Sequence, residues 1–193
     1  MARTKAFDRT VALERAKDLF WCKGYEAASI QELTEAMGIG RGSLYETYRS
    51  KHALFLEALR LSREQNRLDA GRLLDEECAP RDIIVGIFAR VVDDAVDDPG
   101  RRGCMIVNAI TELAAHDRLV EVEAREAVEH VETGLTWLVE EGQRRGEFRL
   151  DLDPLTTARF LANSINGMRV TGKARPDRAA LEGVASLALS VLG

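Results

Sequence analysis

The stretch from Ser29 to Lys51, "SIQELTEAMGIGRGSLYETYRSK", constrains the chain more than any other. Ser29 followed by Glu32 reads as a capping box, in which each side chain satisfies a free amide of the other's backbone. Ile30, Leu33, Ala36 and Met37 then fall on one helical face, and Gly38 is a helix stop after barely two turns. Ile39 can plug the core from the turn. A second short helix carries "RGSLYETY", with Leu44 and Tyr48 at i,i+4 on its inward side. Ser50 caps a further helix opening at Lys51.

Glycines 38, 40 and 42 alternate, which raises the question of a phosphate-cradling loop. A dinucleotide fingerprint requires a preceding strand and a G-x-G-x-x-G register. Here a capped amphipathic helix precedes, the register is G-x-G-x-G, and no P-loop Lys-Ser/Thr follows Gly42. Two short helices joined by a tight Gly turn form instead a helix-turn-helix, whose second helix enters the major groove.

The rest of the chain reads as all-α. Only 4 prolines occur in 193 residues, and alternating strand patterns are hard to find. Periodicity and punctuation predict nine helices, three short and six longer. The first runs over 8–23 with Ala12, Ala16, Leu19 and Phe20 inward, and Gly24 stops it. The fourth spans 51–77, then 80–96, 104–115 and 118–145. The last of these has a stripe of Val122, Val128, Val131, Leu135, Leu138 and Val139. Two final helices cover 153–172 and 176–192.

Charge is unevenly spread. The first 55 residues hold nine Lys/Arg and seven Asp/Glu, and the remainder is acidic enough to bring the net charge to −5. Any nucleic-acid-binding face should therefore lie in the N-terminal third. No apolar run follows the N-terminal charges as in a signal peptide, and no stretch of about 20 apolar residues spans a membrane. Cys22, Cys78 and Cys104 are odd in number and far apart, which fits a reducing cytoplasm. His52, His116 and His130 stand at no metal-ligand offset from any cysteine. No catalytic His/Asp/Cys/Ser constellation appears, and no cofactor is implied.

Residues 16–59 resemble the N-terminal DNA-binding domain of the TetR family of transcriptional regulators. The matching positions are Phe20, Gly24, Tyr25, Ser29, Leu33, Ala36, Gly38, Gly42, Leu44, Tyr45, Ser50, Lys51 and Leu54. Ala28, Gly40, Thr47 and Tyr48 depart from the family habit of Thr, Ser, His and Phe. Gly40 in particular is an N-cap without a side-chain acceptor.

The resemblance implies a helix-turn-helix domain over residues 1–52, with its motif at about 29–48, and a ligand-binding and dimerisation domain over 53–193. It implies a repressor that binds a palindromic operator as a homodimer and is released by a small effector. Candidate DNA contacts are Ser29, Gln31, Arg41, Gly42, Ser43, Tyr45, Thr47, Tyr48 and Lys51. Arg41 can read guanine or grip a phosphate, and Gly42 permits close backbone approach. Arg3, Lys5 and Arg9 could form a tail on the DNA.

The last two helices are the expected dimer interface, through Phe160, Leu161, Ser164, Ile165, Met168, Leu181, Val184, Leu187, Ala188 and Val191. Effector-lining candidates are Phe88, Val92, Cys104, Met105, Asn108, Glu112, Trp137, Phe160 and Asn163, each of which also fits plain core. Cys104, beside Arg101 and Arg102 at a helix start, could sense electrophiles or oxidants, or be a small buried apolar group. An activator, a helical enzyme and a helical interaction module are the alternatives.

Overall fold

The computed structural model describes residues 7–73 and 78–193, with side chains from 67 to 73 left aside. Arg3 and Lys5, and the expected end of the fourth helix at Glu77, lie outside the described residues. Among them the chain is all-helical, with nine α-helices. They are α1 Arg9–Lys23, α2 Ile30–Met37, α3 Arg41–Tyr48, α4 Lys51–Leu73, α5 Pro80–Asp97, α6 Met105–Ala109, α7 Arg118–Arg144, α8 Pro154–Ala174 and α9 Arg178–Leu189. A π-helical turn, Ile110–Ala114, extends α6, and a 3-10 turn follows α9.

Local chemistry sets the boundaries. The Asp8 carboxylate accepts the amides of Thr10 and Val11 and starts α1. The capping box at Ser29 is fully formed: Glu32 N donates to Ser29 Oγ at 3.2 Å, and Ser29 N donates to Glu32 Oε2 at 3.0 Å. Gly38 takes φ +69°, and Ile39 N reaches back to Thr34 O at 3.1 Å, closing α2 in a Schellman turn. Ser50 Oγ accepts Ala53 N at 3.0 Å and opens α4. Asp117, Asp153 and Asp177 cap α7, α8 and α9 in the same way.

Two buried cores result. The first joins Ala12, Ala16 and Phe20 of α1 to Leu33, Met37, Leu44 and Tyr48, then to Leu54–Leu59 of α4 and Met105, Ile106 and Ala109 of α6. The helix-turn-helix elements, α4 and α6 therefore share one apolar cluster. The second core packs α5, the C-terminal half of α7, α8 and α9 around Phe88, Leu138, Leu161 and Met168.

The expected α7 stripe holds only in its second half. Leu135, Leu138 and Val139 are buried, but Val131 is 46% exposed and Val120, Ala124 and Ala127 take the inner positions of the first half. Glu123 is buried among them because Arg60 Nε bonds it at 2.6 Å and Arg63 lies at 3.3 Å. Hydrophobic periodicity does not see a contact face built from alanines and a paired carboxylate.

Candidate nucleic-acid interface and effector cleft

Helix α3 divides cleanly into two faces. Leu44 and Tyr48 point into the first core. Arg41, Gly42, Tyr45 and Glu46 are exposed, and Ser43 and Thr47 are half-buried at its flanks. Among the described residues Arg41 makes no ion pair, so its guanidinium is available. A Cβ built on Gly42 meets nothing within 4 Å, nor does one on Gly40, the N-cap, which gives α3 no side-chain hydrogen bond. Tyr48 leaves the DNA-contact set: it is buried, burial raises its phenol pKa, and its hydroxyl faces Arg9 O at 3.4 Å. Its i,i+4 partnership with Leu44 aims it inward.

The other candidates lie at the start of α2 and at the start of α4. The Ser29 hydroxyl is taken up by the capping box, donating to Glu32 Oε2 at 2.9 Å. The Lys23 ammonium, followed by the Ser29 amide and hydroxyl, holds the Glu32 carboxyl down at about 2. Gln31 is exposed and donates to Glu35 at 3.0 Å. Lys51 Nζ sits 4.5 Å from the Tyr25 ring centroid and 3.4 Å from Glu26 O, so the turn between α1 and α2 positions it. Arg9 folds back instead: its guanidinium donates to both Glu57 oxygens at 2.9 and 3.1 Å.

The nine effector-lining candidates are not brought together. A cleft of about 420 Å³ opens between α1, α4, the end of α5, the 98–104 loop and α8, and of the nine only Cys104 and Met105 line it. Lys17, Arg90, Arg101, Arg102, Arg169 and Lys173 face it, opposed by Asp93, Asp94, Asp97 and Asp98. Phe88 and Val92 instead border a shallow groove against α9 and belong to the second core. Asn108 is a strut: its Nδ2 donates to Arg102 O at 2.8 Å and its Oδ1 accepts Lys173 Nζ at 2.9 Å. Trp137 and Phe160 face outward, 49% and 46% exposed, and Asn163 bonds its own helix at Arg159 O. The chain bends sharply at the cleft. Trp21 Nε1 donates to Gly103 O at 3.0 Å, and the Arg102 guanidinium stacks 4.2 Å above the Trp21 ring.

Glu112, expected near an effector, reaches the other way. Its oxygens accept Tyr25 N at 3.0 Å and Glu26 N at 2.8 Å, from the turn that precedes α2. No local motif marks this contact, which joins residues 86 and 87 positions apart.

The expected dimer face is also narrowed. Leu161, Ile165, Met168, Leu181 and Ala188 are buried within the protomer's own core and leave that set. Phe160, Val184 and Leu187 remain outward, Leu187 at 73% exposure. Ser164 and Val191 are half-buried. Burial on α8 and α9 is one-sided because α5 and α7 already cover their inner faces.

The comparisons with known proteins agree with this geometry. Residues 12–58 match the model for bacterial regulatory proteins of the tetR family, and residues 82–187 match a tetracyclin repressor-like C-terminal domain. The chain is 32% identical over the full length of both chains to YezE of Bacillus subtilis, an uncharacterized HTH-type transcriptional regulator. It is 31% identical to the HTH-type transcriptional repressor ComR of Escherichia coli, covering 89% of this chain and 82% of the relative. Among solved structures it superposes at TM-score 0.85 and 31% identity, over all of both chains, on a cysteine-substituted mutant of the TetR family regulator CifR complexed with 26-bp operator DNA. With family models matching over residues 12–58 and 82–187, the chain belongs to the TetR family and is a DNA-binding transcriptional regulator.

Proposed function

We propose that this regulator is a repressor that binds a palindromic operator as a homodimer in the cytoplasm and is released by a small effector. Residues 1–52 are the reading head and 53–193 the effector and dimerisation body. The observation that carries the reading is the split of α3, with an anchored Leu44/Tyr48 face and an open face bearing Arg41, Gly42 and Tyr45. Ser43 and Thr47 reach the groove flanks, Lys51 and the α2 start at Ser29 and Gln31 grip phosphate, and the base edges read through Arg41. One such head makes few contacts, and a dimer through the outward residues of α8 and α9 places two heads in successive major grooves. The likeness to a regulator bound to operator DNA and to relatives named as repressors supports the same reading.

Gel shifts with a palindrome from the protein's own upstream region test it. Arg41→Ala and Tyr45→Ala lower specific affinity at least tenfold, about 1.4 kcal/mol. Unchanged affinity refutes the assignment.

A second reading, that Cys104 senses electrophiles or oxidants, is favoured by its place on the wall of the open cleft beside Arg102 and Lys173. The thiolate is the reacting form of a cysteine. Iodoacetamide labels Cys104 of the native protein near pH 7 on this reading. Sluggish labelling, with Cys104→Ser still responding to inducer, removes it.

A further inference from the structure

We propose that Glu112 is a positioning residue for operator recognition, whose carboxylate fixes the angle of the reading head on the body. The proposal rests on the dimeric operator reading above. Its basis is a two-pronged contact: one carboxylate accepts two consecutive backbone amides, those of Tyr25 and Glu26. Such charge-assisted bonds are roughly twice as strong as neutral ones.

The surrounding chain is built to admit this carboxylate. Gly24 has φ +83°, and a Cβ there would lie 2.8 Å from Glu112 Oε2. The backbone conformation favours glycine, and a side chain there would push the Glu112 carboxylate off the two amides. On the other side, Glu112 sits in the π-helical turn Ile110–Ala114, where the wider turn rotates side chains out of α-helical register.

The held turn controls the reading elements. It leads directly into the Ser29 cap of α2. The Tyr25 ring packs on Phe55 at 5.0 Å and lies under Lys51, while Glu26 O accepts Lys51 Nζ. Glu112 is therefore the hydrogen-bonded hold at the α2 entrance, beside the Trp21 bond to Gly103 O and the His52 bond to Asp117 that hold α1 and the base of α4. Asn108, one helical turn earlier, is bonded to Lys173 of α8. The tether thus runs from the cleft wall to the head through a single short helix.

The lever is long enough to matter. A pivot of about 10° over two helix diameters, about 20 Å, moves a reading helix by about 3.4 Å, one base-pair step. A fixed head angle accordingly selects one separation of the two half-sites.

The test uses the full-length protein, a palindrome selected by the wild type, and variants of that palindrome with one or two base pairs inserted or removed between half-sites. Glu112→Gln keeps the side-chain size but turns one acceptor into an NH₂ that faces an amide donor. Wild type prefers its own spacing at least tenfold, Glu112→Gln falls below threefold, and Glu112→Asp recovers part of the preference. A change in folding stability alone lowers all affinities together and leaves the preference intact. Full spacing preference in Glu112→Gln overturns the proposal.

Amide hydrogen exchange on the DNA-free chain provides an arm independent of the operator. Tyr25 and Glu26 amides exchange at least tenfold faster in Glu112→Gln, and unchanged rates overturn the clamp. A wild type that binds every spacing equally overturns the dimeric reading and the spacing role of Glu112 with it, while the exchange rates still decide whether the clamp exists.

Discussion

Replacing Gly42 by alanine separates folding from DNA binding. Gly42 lies in the first turn of α3, on its exposed face, and a Cβ built there has open space for 4 Å. In the free protein the methyl therefore meets no obstacle, and alanine reduces the freedom of the unfolded chain. Such substitutions stabilise by about 0.4–1 kcal/mol, with the lower end apt for a first-turn position. For a chain of this size that raises Tm by about 1–2 °C. On DNA the same methyl projects from the face that enters the groove. If α3 lies with its backbone against the base edges, the methyl displaces it and weakens Arg41 and Tyr45 together. A loss of about 1.4 kcal/mol per half-site is tenfold for each head and about a hundredfold for a dimer. Gly40→Ser is the control: it restores a capping oxygen, adds a few tenths of a kcal/mol, and leaves operator affinity at or above wild type. Differential scanning calorimetry and gel shifts on the three proteins provide the readout. A Gly42→Ala variant that is more stable and binds the operator normally refutes close backbone approach, and α3 then reads through its long side chains alone.

Other outcomes follow from the packing. Leu187→Asp places a charge on the outward face of α9, where Leu187 is 73% exposed, and burying that leucine in a dimer contributes about 2 kcal/mol per protomer. Sedimentation then shows a monomer at micromolar concentration, and a persisting dimer shifts the interface elsewhere. Gly142→Ala, in the last turn of α7, sets a Cβ 2.1 Å from the buried Phe148 ring, so it lowers stability by about 1–3 kcal/mol where an open helical site gains. A raised Tm refutes that packing. Burial would raise the Asp117 carboxyl, but the Val120 amide, His52 at 2.6 Å and the Leu119 amide outweigh it and hold it below its ordinary value. A carboxyl depressed by folding stabilises above its unfolded value of about 3.9 and loses that contribution as pH falls through the folded one. Asp117→Asn, which keeps the cap, therefore has a lower urea midpoint than wild type at pH 7, and the gap closes as pH falls below about 4. A gap of constant size refutes the charge contribution.

Much of the reading head was legible because its signals are local. Ser29 and Glu32 cap each other across one helical turn, Gly38 carries the left-handed stop, and Leu44 and Tyr48 share a face by spacing alone. The same short-range logic places the start of every α-helix among the described residues to within about two residues, while the expected ends at 115 and 192 fall beyond the π-helical turn after α6 and in the 3-10 turn after α9. The i,i+4 spacing of Tyr48 from Leu44 aims it inward, and the structure buries it there.

The sequence by itself determined an all-α chain with a helix-turn-helix near its start, because capping, left-handed stops and helical periodicity act within one or two turns. Tertiary structure alone decided which side of α8 and α9 stays open, why Glu123 rather than Val131 is buried in α7, and that Cys104 faces a cleft while Phe88 fills a core. It also decided that Glu112 holds the Tyr25–Glu26 turn. Each of these depends on which helix covers which face, a choice made by contacts between residues tens of positions apart. A carboxylate has the same local preference whether it meets solvent, an effector or two amides of a distant turn.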